Sequence, residues 1–382
     1  MKNLYSICFL MFLLLFNGCE AQIEEKEGIR GVWLTNVDSD ALNSKENIKR
    51  TVEICKDEGF NLICVVMYNK GVTLYPSKTM KELIGQEIDS VFIGRDPLRE
   101  LIEEAHKQDI KVIAWFEFGF SSSYKLNGGK IVKVKPNWGS KNNEGKLVTK
   151  NGFDWLNGFD PEVREFMLSL IKEVVTNYDV DGIQGDDRLP AMPVEAGYED
   201  FTISKYMEEH NGAKPPKDFR DTAWINWRAN ILNDYMGEIY KTVKKIKPNI
   251  IVSMAPSIYP WSKEEYLQDW IQWVKQGYVD LVIPQLYRQN IKDYIKVLDD
   301  IVKEQLTKED LKKFYPGILL KVGTYYPSEQ LLKEMIYENR KRNINGEVFF
   351  FYEGIKKFPN IFKEQLYKDK VLFPKYLLKE QK

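Results

Sequence analysis

Carboxylates close several short apolar runs in this chain, where few other side chains can do acid–base work. Asp38 follows the run 29–35, Glu117 lies near the end of 111–118, Asp186 and Asp187 close 182–186, and Glu353 follows 347–352. Cleaving a glycosidic bond needs such a set. One carboxylic acid protonates the leaving oxygen, and a second carboxylate stabilises or attacks the anomeric carbon. Only two histidines are present, His106 and His210, both in polar helical stretches. A Ser-His-Asp triad, a HExxH site or a multi-histidine metal centre is therefore excluded. Asp186 and Asp187 are adjacent, and neighbours along a strand face opposite sides. One is expected to enter a site while the other braces a loop. Asp181 starts its run instead of closing it, and is read as structural.

The same run ends supply groups that would hold a sugar: Trp33, Asn36, Tyr68, Trp115, Arg188, Trp261, Gln285, Tyr287 and Lys321. Aromatic residues make up 13% of the chain. Most such rings belong to the core, but apolar sugar faces also stack on them. Asp38, Glu117, Asp186 and Asp187 offer oxygen ligands that a hard cation would accept. Their spacing is not diagnostic, and neither a metal nor a cofactor is expected.

These groups need a frame that brings distant run ends together. Apolar runs recur at 29–35, 61–68, 111–118, 182–186, 250–255, 281–287, 317–322 and 347–352, and each is continuous instead of alternating. Such runs suit strands buried on both faces. Helical periodicity fills the gaps at 45–58, 97–108, 161–178, 224–245, 263–275, 291–305 and 328–342, and a last helical unit is expected over 361–367. Asp96-Pro97 and Asp160-Pro161 place an acidic cap before a proline at the first helical position. Eight strand-then-helix units predict an α/β fold, a closed (β/α)8 TIM barrel over residues 28–382. Active sites in this fold lie at the C-terminal strand ends, so the long loops 69–96, 119–160 and 187–216 would shape the site. Loop 119–160, with Trp138 and Trp155, is expected to be a lid or cleft wall.

Lys+Arg 55 against Asp+Glu 56 leaves a net charge of -1, which gives no basic footprint for nucleic acid. Residues 1–18 have the charge and apolar run of a signal peptide, too short to span a bilayer comfortably. They lead into Phe16-Asn17-Gly18-Cys19, similar to a bacterial lipobox. Cys19 is then the expected lipidation site, and 19–27 an acidic tether. This predicts an exported protein of the bacterial cell envelope, held at the membrane by its lipid anchor. Cys55 and Cys64 look like small buried hydrophobes.

Six motifs carry a resemblance to a known family. They are Arg30-Gly31-Val32-Trp33-Leu34-Thr35-Asn36, then Gly71 through Leu74-Tyr75-Pro76-Ser77, and Ala114-Trp115-Phe116-Glu117-Phe118-Gly119-Phe120. Asp181-Gly182-Ile183-Gln184-Gly185-Asp186-Asp187-Arg188-Leu189-Pro190, Ile283-Pro284-Gln285-Leu286-Tyr287 and the stretch 346–354 complete the set. With them the chain resembles the glycosyl-hydrolase-like family 10 of bacterial barrels. The resemblance implies action on glycans of the bacterial envelope, with peptidoglycan strands as the expected substrate. It implies Asp186 and Asp187 as catalytic candidates with Glu117 as their partner, and Gln285 and Tyr287 as hydrogen-bonding groups for the sugar. Two departures from other glycosidase barrels stand out. Gln184 occupies the place of an arginine in the α-amylase layout, and Arg188 that of the acid in the chitinase layout. They keep open a glycan-binding lipoprotein without activity. A metal-assisted polysaccharide deacetylase is a third reading.

Overall fold

The computed structural model describes residues 26–378. Cys19, the signal segment and most of the tether fall outside the described residues. All eight expected strands form: β1 (Arg30–Leu34), β2 (Leu62–Val66), β3 (Lys111–Trp115), β4 (Gly182–Gly185), β5 (Ile251–Met254), β6 (Leu281–Val282), β7 (Gly317–Leu319) and β8 (Glu347–Phe350). They run parallel in the order β7-β8-β1-β2-β3-β4-β5-β6. The ring closes between β6 and β7 through the bridges Val282↔Phe314 and Gln285↔Gly317. Gly317 N–H donates to Pro284 O at 2.9 Å across that seam. A side chain at Gly317 would collide there, since a Cβ would stand 2.9 Å from Pro284 O and 3.2 Å from the Trp33 ring.

Strand residues are buried almost throughout, because the barrel interior covers one face and the helices cover the other. The helical layer comprises α1 (Lys45–Asp57), α2 (Pro97–Lys107), α3 (Pro161–Asn177), α4 (Thr222–Ile246), α5 (Trp270–Lys275), α6 (Ile291–Asp299) and α7 (Glu329–Lys341). Asp96 and Asp160 cap α2 and α3 as expected, each accepting a backbone N–H of the first turn. The helix expected over 263–275 is broken. A short helix Trp261–Tyr266 ends at Leu267, whose φ is +54°, before α5 begins. Towards the C-terminus, 291–305 finishes as a π-turn and 361–367 is itself largely a π-turn. The chain enters the fold through Leu372, whose N–H donates to Lys26 O and whose carbonyl accepts from Gly28 N–H, both at 2.9 Å.

The three long loops are folded structures. Loop 69–96 holds the hairpin Tyr68–Asn69/Val72–Thr73 and the helix Lys78–Ile84, whose N-terminus is tied to Glu173 of α3. Loop 119–160 forms a three-stranded antiparallel sheet from Ser121–Tyr124, Phe153–Trp155 and Thr149–Lys150. Trp138 and Trp155 are buried in it, so they serve its packing and do not offer a sugar platform. Loop 187–216 carries the helix Asp200–Glu209.

Candidate active site

At the C-terminal strand ends lies a cavity of about 170 Å³, lined by Trp33, Trp115, Glu117, Phe153, Asp186, Asp187, Arg188, Ala255, Gln285, Tyr287 and Phe350. Its base is aromatic. The ring centroid of Phe350 lies 6.2 Å from Trp33, 6.4 Å from Trp115 and 5.5 Å from Tyr287. Trp33 is held upright by a 2.6 Å hydrogen bond from its indole N–H to Gln184 Oε1. Gln184 in turn donates to Ser253 Oγ at 2.8 Å. The glutamine that departs from the α-amylase pattern thus has a defined task below the site.

Arg188 stands at the centre. Its Nη2 contacts Asp186 Oδ2 at 3.0 Å and lies 3.7 Å from Glu117 Oε1, while Nη1 meets Asp187 Oδ1 at 3.0 Å. Its Nε donates to the Glu117 carbonyl oxygen at 2.8 Å. The chain leaves β4 at Gly185 and turns at once, with Arg188 N–H donating to Asp186 Oδ1 at 3.0 Å. Pleat alternation stops where the strand stops. For that reason Asp186 and Asp187 converge on one guanidinium, contrary to the expectation that they would diverge. Gly119, at φ +49°, lets the loop after β3 close on this turn, and a Cβ there would stand 2.2 Å from Arg188 O.

Three donors meet Asp186: Arg188 N–H, Arg188 Nη2 and the Trp115 indole N–H at 3.2 Å. Burial nonetheless pushes its pKa well up, with Arg188 opposing and the carboxylates of Asp187 and Glu117 adding to the rise. The pKa of Glu117 is also raised, by burial first, against Arg188 and the hydrogen bond donated by the Asn69 amide. Both shifts have the same origin. Three carboxyls share one guanidinium where water is scarce, and that leaves surplus negative charge. Tyr287 is pushed well above the ordinary phenol range by burial and stays neutral.

Of the fourteen side chains expected to form the site, eight line this cavity: Trp33, Trp115, Glu117, Asp186, Asp187, Arg188, Gln285 and Tyr287. Six do not. Asn36 lies beside the mouth with Oδ1 buried and without a partner among the described residues, and Asp38 is exposed at φ +51°. Tyr68 is buried against Phe166 of α3, at 6.4 Å between ring centroids. Lys321 holds its ammonium 4.9 Å over the Phe351 ring. Glu353 is a loop brace, accepting from Ser39 Oγ at 2.8 Å and pairing with Lys356 at 2.6 Å. Trp261 is 44% exposed, with its ring 5.3 Å from Tyr266.

Sequence reasoning missed Phe153, Ala255 and Phe350 in the lining. It also missed Gln268, which donates to Asp186 O at 2.7 Å. Strand alternation would have found Phe350, because Phe349 packs outward on Phe60 and Phe362. Phe153 rides on a loop hairpin, and Gln268 on the break in a helix that looked continuous. Neither leaves a local signal.

Among the described residues, no group of three His, Cys, Asp or Glu side chains is arranged to hold a metal ion. At the carboxyl cluster itself, the guanidinium takes the place a cation would need. Asp181, read as structural, accepts from Val112 N–H and contacts His106 Nε2, both at 2.8 Å, at the opposite end of the barrel. His210 stacks on Tyr206, with ring centroids 3.8 Å apart. Cys55 and Cys64 are buried free thiols, as expected.

A parallel barrel with clustered carboxyls in an aromatic cavity at its C-terminal strand ends has the architecture of the TIM-barrel glycosidases. The chain is similar in fold to the PgaB (BpsB) glycoside hydrolase domain from Bordetella bronchiseptica. That likeness has a TM-score of 0.66 at 13% identity and covers 91% of this chain and 100% of that one. The catalytic domain of β-amylase from Paenibacillus polymyxa is also similar, with a TM-score of 0.59 at 9% identity over 91% and 99% of the two chains. Residues 28–326 match the family described as glycosyl hydrolase-like 10, and the chain belongs to that family. Glycosyl hydrolase DigH of Escherichia coli (strain K12) is 25% identical over 307 residues, 69% of this chain. The match spans 66% of that protein's length, just short of two thirds. Glycosyl hydrolase YngK of Bacillus subtilis (strain 168) is 22% identical over 91% of this chain and 73% of its own length.

Proposed function

We propose that the protein is a glycoside hydrolase of the bacterial cell envelope, with peptidoglycan glycan strands as its polysaccharide. The observation that carries the catalytic part is the convergence of Glu117, Asp186 and Asp187 on one buried guanidinium above an aromatic base. Burial and surplus negative charge raise the pKa values of Glu117 and Asp186, the direction a general acid requires. Asp186 accepts three hydrogen bonds, which favour its ionised form against the burial and neighbouring carboxylates that raise its pKa. Glu117 Oε1, 3.7 Å from Arg188, is the better seat for the proton. Glu117 then passes that proton to the glycosidic oxygen as the C–O bond breaks. Asp186, with Asp187 beside it, stabilises the positive charge developing at the anomeric carbon, or attacks it, and water completes hydrolysis. Gln285 and Tyr287 orient the sugar over Trp33, Trp115 and Phe350. Trp261, exposed outside the cavity, would stack a neighbouring sugar of the chain.

The envelope assignment rests on the lipobox-like segment ending at Cys19. The intact mass of protein recovered from its native membranes tests it: a chain beginning at Cys19 with added acyl mass is expected, and an unacylated chain rules the anchor out.

A second reading has its own support. Arg188 engages all three carboxyls and the cavity is small, which would also suit a glycan-binding protein without turnover. Incubating the soluble domain with purified glycan strands, peptide-bearing and peptide-stripped, separates the two by mass spectrometry. Shortened saccharides that disappear with Asp186→Asn are expected. Strands bound but uncut would select the binding protein. Neither binding nor cleavage would mean that the glycan is a different one.

A further inference from the structure

Arg188 was expected to be a sugar ligand, yet its Nε and Nη2 already donate within the carboxyl cluster. Nε donates to a backbone carbonyl, and both Nη atoms face carboxylates. Two rings crowd one side of it, with the guanidinium carbon 4.7 Å from the Phe153 ring centroid and 6.0 Å from that of Phe118. The side chain is only 13% exposed. A guanidinium carries five N–H donors in a rigid fork, so one that donates through Nε and Nη2 and sets Nη1 against a third carboxylate is aimed at the cluster first and at a ligand second.

We propose that Arg188 is a positioning residue of the carboxyl cluster: it fixes Glu117, Asp186 and Asp187 relative to one another and sets the pH window in which they share a proton. This rests on the glycosidase reading only for its kinetic consequence. The electrostatic part stands on the geometry alone.

Every charged or titratable group facing the cluster supports that assignment. Glu117 comes from the end of β3, and Asp186 and Asp187 from the end of β4. Lys70, on the hairpin after β2, acts on Glu117 at longer range. Tyr266, beyond β5, and Tyr287, beyond β6, also face it. Burial raises the Tyr266 pKa to about 12 and that of Tyr287 well above 10, so both stay neutral where carboxyls titrate. Arg188 is therefore the one cation in direct contact with the three carboxyls among the described residues. Burial alone would lower its own pKa, but the three carboxylates outweigh that and keep it charged. Removing it withdraws the attraction that favours ionised carboxyls, so the pKa values of Glu117 and Asp186 must rise. Activity that needs one ionised and one protonated carboxyl then has both limbs of its pH profile moved upward.

The test compares wild type with Arg188→Met and Arg188→Lys. Carboxyl ¹³C resonances of Asp- and Glu-labelled protein are titrated, with Glu117→Gln and Asp186→Asn used to assign the signals. Arg188→Met should raise the midpoints of Glu117 and Asp186 by about 1–3 pH units, the usual reach of an adjacent opposite charge. Arg188→Lys, which keeps the charge, should stay near wild type if its melting curve shows it folded. In the kinetic arm, kcat/KM against pH on a cleaved glycan should move upward in Arg188→Met, with little change in Arg188→Lys. Midpoints that do not move overturn the proposal. So does a raised KM with an unmoved profile, which would make Arg188 a sugar ligand. If wild type cleaves nothing, the glycosidase reading fails while the titration still decides the role of Arg188.

Discussion

Glu117 and Asp186 differ in which atoms face them, and in the proposed mechanism that difference separates the acid from the stabilising carboxylate. Asp186 receives three hydrogen-bond donors, whereas Glu117 receives one from the Asn69 amide and holds its other oxygen 3.7 Å from Arg188. Burial raises the Glu117 pKa, so the acid form persists further toward neutral pH than an exposed glutamate allows. The sign follows: activity should fall as pH rises through the Glu117 pKa. Glu117→Gln is expected to lower kcat by roughly 10²–10⁴-fold on natural glycans. The alkaline limb of the profile should vanish with it. Aryl glycosides with activated leaving groups, which need little protonation, should lose much less. Equal losses on both substrates would move the acid role to another carboxyl.

At the scale of elements, the long loops behave as built walls because each has a buried or half-buried carboxylate collecting its backbone and hydroxyl donors. Glu173 gathers Ser77 Oγ, Thr79 N–H and Thr79 Oγ1, and Asp154 gathers Ser123, Thr149 and Leu126. Glu199 joins two loops by accepting from Ser140, Lys141 and Thr202. The hairpin bearing Phe153 is latched at its tip. There Lys150 Nζ reaches Glu195 at 3.1 Å and Glu265 at 2.9 Å, and the Asn151 amide donates to the Tyr266 hydroxyl at 2.8 Å. Lys150→Met should free this tip at a local cost of about 1–3 kcal/mol, the scale of a lost charge-assisted contact. Global melting should barely change, while limited proteolysis should cut within 149–153 several-fold faster and KM should rise. An unchanged cleavage rate would show that the sheet, and not the latch, holds Phe153 in place.

The whole barrel depends on a second buried charge cluster at the far end from the site. Glu347, at the start of β8, is fully buried and takes two 2.9 Å contacts from Arg340 of α7. Tyr367 donates to it at 2.7 Å and Asn339 at 3.1 Å, while Arg30 of β1 stacks on the Tyr367 ring at 4.1 Å. This network joins the first strand, the last strand, the last helix and the C-terminal segment. Breaking a buried pair by removing one partner leaves an uncompensated charge and costs about 3–5 kcal/mol. Arg340→Met should therefore lower stability by that amount in urea unfolding, and Arg340→Met/Glu347→Leu should recover part of it. A single variant with an unchanged midpoint would mean that solvent reaches Glu347.

The division between chain and fold follows from what is local. The eight strands, the proline-led caps at Asp96 and Asp160 and the structural role of Asp181 were legible in the sequence, because periodicity, capping and strand position involve neighbours along the chain. Eight of the fourteen expected site side chains line the cavity for the same reason, since strand ends point into a barrel mouth. Other features depended on contacts between distant segments. Asp187 turned toward Arg188 because the strand stops at Gly185, and Gln268 reached Asp186 because the expected helix breaks at Leu267. Phe153 arrived on a hairpin held by Glu195 and Glu265. The periodicity of the sequence determined the barrel and which strand ends would carry chemistry. Only tertiary packing decided that three carboxyls would share one guanidinium, because the spacing of charges around a cavity is set by turns and by partners far away in the chain.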